Sequence, residues 1–296
     1  MTDAKTLNLL TEPGWDDYAL LDSGMGRKLE RYGQVIVDRP EAQAFWSKSL
    51  PDARWAQAVA TFKNASENED DEGGKWEFAK KGLPETWNVS VGGITMLSRF
   101  MAFRHLGIFP EQRPHWQWMK DRIAGKPLKI LNLFAYTGAA SLIAASAGAH
   151  VTHVDASKKA IQWAKDNQEA SGLGDKPIRW ICEDARKFVQ REIRRGNTYD
   201  GILLDPPRYG RGTDGEKWQF ETDTAPLLKD CASLLSSDAS FLILTAYTMR
   251  LSAITLEHML RDAAPKRGSI DCGELLLLDE GRQRPLSTSL FARWSS

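Results

Sequence analysis

Three cysteines among 296 residues are too few and too scattered to build this chain's fold. Cys182, Cys231 and Cys272 are odd in number, and no two share a metal-ligand spacing. Neither a disulfide framework nor a metal site is expected; reduced thiols in a cytoplasmic protein are. No apolar run approaches the ~20 residues that span a membrane. The start, Met1-Thr2-Asp3-Ala4-Lys5, lacks the basic segment and apolar core of a signal peptide. A cytoplasmic location with no membrane partner follows as an expectation. Net charge is missing too: 39 Lys+Arg balance 39 Asp+Glu. Residues 1–120 hold 15 basic against 17 acidic residues, and the remainder 24 against 22. Neither part is a basic domain, so any polyanion site must be a local patch. The three-glycine turn G-x-G-x-x-G is also absent, which argues against a nicotinamide dehydrogenase.

What is present is a soluble, globular composition, 42% hydrophobic and 26% charged, long enough for two domains. The organising stretch is Lys129-Ile-Leu-Asn-Leu-Phe-Ala-Tyr-Thr-Gly138. Its apolar run predicts a strand buried on both faces. A turn at Gly138 leads into Ala139 to Ala149, which predicts a helix lying close on that strand. Strand, glycine turn and helix form the first unit of a nucleotide-binding α/β fold, with backbone N–H groups facing a ligand at the helix start. An ordinary βα turn has the same pattern.

Upstream, residues 1–17 read as a loosely attached arm broken at Pro13-Gly14. Short strands are expected over 18–40, with turns at Ser23-Gly24-Met25-Gly26 and Gly33. A helix is expected from Pro40, where Ala42-Gln43-Ala44-Phe45-Trp46 begins an apolar periodicity. Residues 64–74 form an acidic, glycine-ended loop that would repel a phosphate backbone. Trp76-Glu77-Phe78, Trp87 to Val91 and Ile94 to Leu97 alternate as half-buried strands, the last two joined by a Gly92-Gly93 hairpin. Seven of the 11 Trp fall in residues 1–120; they can form the core of a small β-rich region or stack on bases. Residues 105–118, stiffened by Pro110 and Pro114, join the two parts. The expected organisation is a β-rich region over 1–120, for substrate recognition, and an α/β domain over 121–296. In the latter, strands at 128–134, 151–155, 178–182, 199–205 and 239–246 alternate with helices at 139–148, 157–171, 184–195, 217–236 and 250–263. That alternation predicts a parallel sheet covered on both faces. Gly273 to Leu278 and Leu286 to Trp294, flanking Gly281, add a terminal antiparallel pair.

Ligands of such sheets bind at the carboxyl ends of the strands. After the first strand come Asn132, Phe134, Tyr136, Thr137 and Gly138. The second ends in Asp155, placed to accept ribose hydroxyls. The third is followed by Asp184-Ala185, where Asp184 either caps a helix or accepts from an adenine amine. The fourth ends in Asp205-Pro206-Pro207-Arg208-Tyr209. Two prolines after an acid can neither continue a ladder nor enter a helix normally. They make a rigid, acceptor-rich corner able to bind an amino group, with Tyr209 as a stacking face. Together these residues resemble class I S-adenosylmethionine-dependent methyltransferases. The Tyr136-Thr137-Gly138 ending, the Asp205-Pro206-Pro207-x-aromatic motif and Gly107-Ile-Phe-Pro-Glu-Gln-Arg113 resemble more closely the large-subunit rRNA methyltransferase family.

The resemblance implies a Rossmann-like seven-stranded α/β sheet, S-adenosyl-L-methionine as cofactor and rRNA as substrate. It places Phe134, Tyr136 and Gly138 around the methionine part, Asp155 at the ribose, and Asp184 with Ala185 at the adenine. Phe109 and Gln112 would contribute from the linker, and Asp205, Pro206 and Tyr209 would face the substrate. Members that methylate cytosine carbon 5 need a thiolate after the fourth or fifth strand. Here those positions read Asp205 to Tyr209 and Thr245-Ala246-Tyr247-Thr248, without cysteine. A nitrogen target fits better. A protein or small-molecule substrate, or a non-catalytic RNA-binding relative, are the alternatives.

Overall fold

The computed structural model describes residues 6–11, 15, 17–65, 73–237, 240–247, 251–280 and 284–296. The chain forms two compact units. One comprises Met1–Leu10, Pro114–Leu275 and Ser289–Ser296, the other Thr11–Arg113 and Leu276–Thr288.

The chain begins with β1 (Asn8–Leu10), then β2 (Tyr18–Gly24), β3 (Arg27–Tyr32) and β4 (Val35–Pro40). A single helical turn, α1 (Asp52–Trp55), precedes β5 (Ala60–Asn64), β6 (Gly74–Phe78), β7 (Thr86–Val91) and β8 (Ile94–Arg99). The second unit is thus β-rich, with a five-stranded sheet in the order β2-β3-β4-β5-β6 and the separate hairpin β7-β8. Gly92 and Gly93 form the expected turn, with φ of 58° and 92°. The helix expected from Pro40 is not there. Its backbone instead closes the β2–β3 turn: Met25 N–H donates to the Trp46 carbonyl and Gly26 N–H to that of Ala44. A Cβ at Gly24 would lie 2.6 Å from Lys48 N, so this segment lies directly on the turn and its carbonyls are taken. Apolar periodicity alone gave no warning of that use. Of the acidic loop, residues 66–72 lie outside the described residues, as do Pro13-Gly14, Thr248 and Gly281.

The core of this unit carries an ion pair. Arg39 forks onto Glu30, with Nε–Oε2 at 2.7 Å and Nη2–Oε1 at 2.8 Å, and donates from Nη1 to the Arg104 carbonyl. The Tyr18 and Tyr32 hydroxyls donate to the same carboxylate. Burial would raise the Glu30 carboxyl, but Arg39 and Lys28 outweigh it and hold it below its ordinary range.

The other unit holds α2 (Arg113–Ile123) and then alternates: β9 (Lys129–Leu133), α3 (Ala139–Ser146), β10 (His150–Asp155), α4 (Lys158–Ala170), β11 (Ile178–Cys182), α5 (Ala185–Arg194) and β12 (Gly201–Leu204). A short hairpin of β13 (Tyr209–Arg211) and β14 (Lys217–Gln219) comes next. It is followed by α6 (Phe220–Ser233), β15 (Phe241–Tyr247), α7 (Ala253–Ala263), β16 (Ser269–Leu278) and β17 (Pro285–Ser295). The sheet order is β1-β16-β17-β15-β12-β9-β10-β11. The five strands from β15 to β11 are parallel, as the alternation predicts, and β17 runs antiparallel to β15; β16 and β17, side by side, are the expected terminal antiparallel pair. The sequence that read as a loose arm supplies an eighth strand: β1 runs parallel along β16, Asn8 opposite Gly273. Three residues are too short for a periodic signal. One face is sealed by Leu131, Leu133, Ile202, Leu204, Leu242 and Leu244, packed with α5, α6 and α7 side chains such as Phe188, Leu228 and Leu256. Pro114, expected in an irregular link, sits in the first turn of α2, where its missing N–H costs nothing. Among the described residues, no helix is long and apolar enough to cross a membrane, and no cluster of three or more His, Cys, Asp or Glu side chains is placed to hold a metal.

Candidate active site

Sheet register brings the predicted residues level. Leu133 pairs with both Val154 and Leu204, and Leu204 with Leu244. One step further, Phe134, Asp155, Asp205 and Thr245 therefore stand side by side at the carboxyl ends. The turn after β9 is strained. Phe134 and Tyr136 have φ of 54° and 49°, a region aromatic residues rarely enter, and such outliers persist where surrounding bonds over-determine them. Here Tyr136 N–H donates to Asp155 Oδ2 at 2.8 Å, and Ala135 N–H to the Val154 carbonyl. Gly138 follows at φ 89° as the N-cap of α3. A Cβ there would stand 3.1 Å from that of Ala164, so only glycine lets α4 come this close.

Asp155 has a second task. Its Oδ1 accepts Ser157 N–H at 2.8 Å. Burial pushes its carboxyl above the ordinary value, and the Ser157 and Tyr136 N–H groups only partly offset that. Each oxygen holds one backbone donor and keeps a further acceptor position. Asn132 and Thr137 support the turn from below. The Asn132 amide donates to Ser141 Oγ at 3.0 Å, which also bonds His153 Nδ1, and the Thr137 carbonyl accepts from Asn167.

Asp184 is the N-cap of α5: Oδ1 accepts the N–H groups of Arg186 and Lys187, so of the two readings the cap is present. Ala185 opens the helix, buried. Asp205 is half-buried, Pro206 buried and Pro207 exposed. Tyr209 is 55% exposed, with the Arg208 guanidinium 5.2 Å from its ring. Phe109 and Gln112 belong to the other unit, Phe109 preceding and Gln112 ending the single turn Pro110–Gln112.

The sequence reading missed the hairpin. It ran a helix from 217, whereas Lys217–Gln219 pairs with Tyr209–Arg211 and the helix starts at Phe220. The signal was Asp214-Gly215 between two short β-prone segments, a hairpin cue. Trp218, on that hairpin, packs on Phe134 with ring centroids 4.7 Å apart. None of the three cysteines lies in Asp205 to Tyr209 or in Thr245 to Tyr247. Cys182 is exposed and level with Asp155, but burial of the thiol and then the Asp155 charge push its pKa up. Cys231 and Cys272 are buried, and burial pushes the Cys231 thiol far up. A thiolate is the reactive form, so all of this disfavours attack.

A family model described as S-adenosylmethionine-dependent methyltransferase matches residues 65–276. A crystal structure of a SAM-dependent methyltransferase from Agrobacterium tumefaciens is 50% identical, with a TM-score of 0.93 over 98% of this chain and 94% of its own. The structure of SMU.776 complexed with SAH is 19% identical and covers 94% of this chain and 75% of its own at a TM-score of 0.71, a likeness of fold. Among curated proteins, ribosomal RNA large subunit methyltransferase K/L of Hahella chejuensis is 36% identical over 132 residues, 44% of this chain and 18% of its own length. Its namesake from Ectopseudomonas mendocina is 31% identical over 182 residues, 58% and 23%. The chain spans about a fifth of the length of these curated relatives.

Proposed function

The chain belongs to the S-adenosylmethionine-dependent methyltransferases, and on that footing we propose that it methylates a base of rRNA at a ring or exocyclic nitrogen. S-adenosyl-L-methionine is the methyl donor of the family and supplies a methyl group activated on a sulfonium. The turn residues Phe134, Tyr136, Thr137 and Gly138, with Asn132 beneath them, hold its methionine part. Asp155 takes the ribose hydroxyls, and Asp184 and Ala185 border the adenine. Because the methyl is already activated, the protein's task is alignment and stabilisation of the charge that grows on the attacking nitrogen. Asp205 and the Pro206 carbonyl face that nitrogen, and the exposed ring of Tyr209 takes the stacking that the base loses on leaving its helix.

The observation that carries the nitrogen target is the absence of a usable thiol: Asp205 to Tyr209 contains no cysteine, and the pKa values of Cys182 and Cys231 are raised rather than lowered. The rRNA substrate is supported by the curated relatives, which are ribosomal RNA large subunit methyltransferases. The balanced charge favours a second reading, a protein or small-molecule substrate. The test is transfer of tritiated methyl to large-subunit rRNA from a strain lacking the gene. Asp205→Asn keeps shape and removes charge, so turnover falls by a factor on the order of 10²–10³ while cofactor affinity stays. Equal loss of both makes Asp205 a cofactor or folding residue, and no transfer to rRNA by the native enzyme refutes the substrate.

A further inference from the structure

The Asp205-Pro206-Pro207 corner is rigid in one sense and loose in another. Both proline rings fix φ near −65°, but neither fixes ψ. The ψ of Pro207 sets the plane of the next peptide, and so the direction in which Arg208 and Tyr209 leave the corner. In this structure a side chain of the following hairpin bonds that peptide. Trp218 Nε1 donates to the Pro207 carbonyl at 2.7 Å. The same indole lies against Phe134, the first residue of the strained turn after β9, at 4.7 Å between centroids and 56° between planes. Trp218 is 4% exposed, so the donor side of this part-buried bond is covered. Cross-strand pairing sets Gly210 opposite Trp218, and Phe220 N–H bonds the Arg208 carbonyl at 2.9 Å. The hairpin is itself tied to the start of α5. Arg186 donates to the Lys217 carbonyl at 2.9 Å and pairs with Asp223 at 3.1 Å. Lys187 pairs with Asp214 and Glu216.

We infer that Trp218 is a positioning residue that aligns the Asp205-Pro206-Pro207-Arg208-Tyr209 corner with the turn that carries Phe134. The indole N–H sets the aim of Tyr209, and the indole ring references that aim to Phe134. The two halves of the side chain therefore do separable work. Losing the N–H loosens the corner and leaves the turn after β9 in place. Losing the ring contact disturbs the turn first. The inference rests on the proposed roles of the two motifs, but its central test needs no RNA.

Two replacements remove the N–H. Trp218→Phe is the simple one; substitution by benzothienylalanine keeps the size of the indole and lacks only the donor, so folding is preserved. Amide exchange is read at Asp205, Arg208 and Tyr209 with S-adenosylmethionine bound. The expected result is exchange at these three amides faster by roughly tenfold, as for loss of one hydrogen bond. Protection over 132–138 and cofactor affinity by calorimetry should stay within a few-fold of the native values. Phe134→Leu gives the opposite pattern: weaker cofactor binding and little change at Arg208 and Tyr209. In the rRNA transfer assay the donorless variants lose turnover by about tenfold, and the loss is non-additive with that of Asp205→Asn, since both act through one corner. Unchanged exchange at all three amides in the benzothienylalanine enzyme overturns the inference. So does equal loss of cofactor affinity and turnover. If the native enzyme transfers nothing to rRNA, the proposed substrate fails, while the exchange data still decide the role of Trp218.

Discussion

Replacing Asp155 by Ala tests the cofactor site at its most informative point. The carboxylate holds Tyr136 N–H and Ser157 N–H, both at 2.8 Å, and the first of these fixes a residue at φ 49°. Hydrogen bonds to a charged acceptor contribute about 1.5–3 kcal/mol each before burial is counted. Burial here works against the charge and raises the carboxyl pKa, so the net loss of stability should be nearer 1–3 kcal/mol in all. The cofactor loses its ribose acceptor as well. Leaving hydroxyls unpaired costs a further ~1–3 kcal/mol of affinity, roughly 5- to 150-fold in Kd. Asp155→Asn should bind nearly as poorly, because its amide group would face one of the two backbone donors. Calorimetric titration with S-adenosylmethionine reads the affinity, and thermal unfolding separates it from stability.

The pH dependence supplies a second check. Ribose hydroxyls donate to the ionised carboxylate, so native affinity should weaken as pH falls through the raised Asp155 pKa, above the ordinary carboxylate range. Without cofactor the sign reverses. The folded chain holds this proton more tightly than the unfolded one, so the group's contribution to stability is present below its ordinary pKa and fades as pH rises through the raised value. The alanine variant should show neither trend. Unchanged affinity in Asp155→Ala would refute the assignment.

Other outcomes follow from the same structure. Glu30→Gln leaves Arg39 buried without its counter-ion and should cost about 3–5 kcal/mol. Because the Glu30 carboxyl is held below its ordinary pKa, its stabilisation is complete above that ordinary value and is lost as pH falls through the lowered one; the variant's acid unfolding curve should therefore be flatter. A variant with Cys182, Cys231 and Cys272 all changed to Ser should keep methyl transfer once its fold is confirmed by circular dichroism. A covalent enzyme–RNA adduct on a fluoropyrimidine substrate would contradict the thiol-free mechanism.

Much of the catalytic half was legible because its signals are local and repeated. The strands expected at 128–134 and 199–205 contain β9 and β12, whose residues are almost all buried, since parallel strands buried on both faces read as apolar runs. Asp155 was legible as an acid ending a strand. Its use in pinning Tyr136 was not, because that bond joins residues from two neighbouring strand ends. The segment after Pro40 misled because its apolar residues serve tertiary contacts while its carbonyls close another turn. The hairpin carrying Trp218 was hidden by its shortness: Lys217–Gln219 runs straight into α6, and the aromatic pair in Trp218 and Phe220 fits helix and strand alike. Asp184 was correctly seen as ambiguous, and the cap is what the local backbone uses.

The nitrogen target is tested most directly by nucleoside mass spectrometry of large-subunit rRNA from a strain lacking the gene, with and without the gene restored. The account predicts that one N-methylated nucleoside disappears and returns with the native gene but not with Asp205→Asn. Loss of a carbon-5 methylated cytidine, or an rRNA methylation pattern identical in all strains, would contradict it.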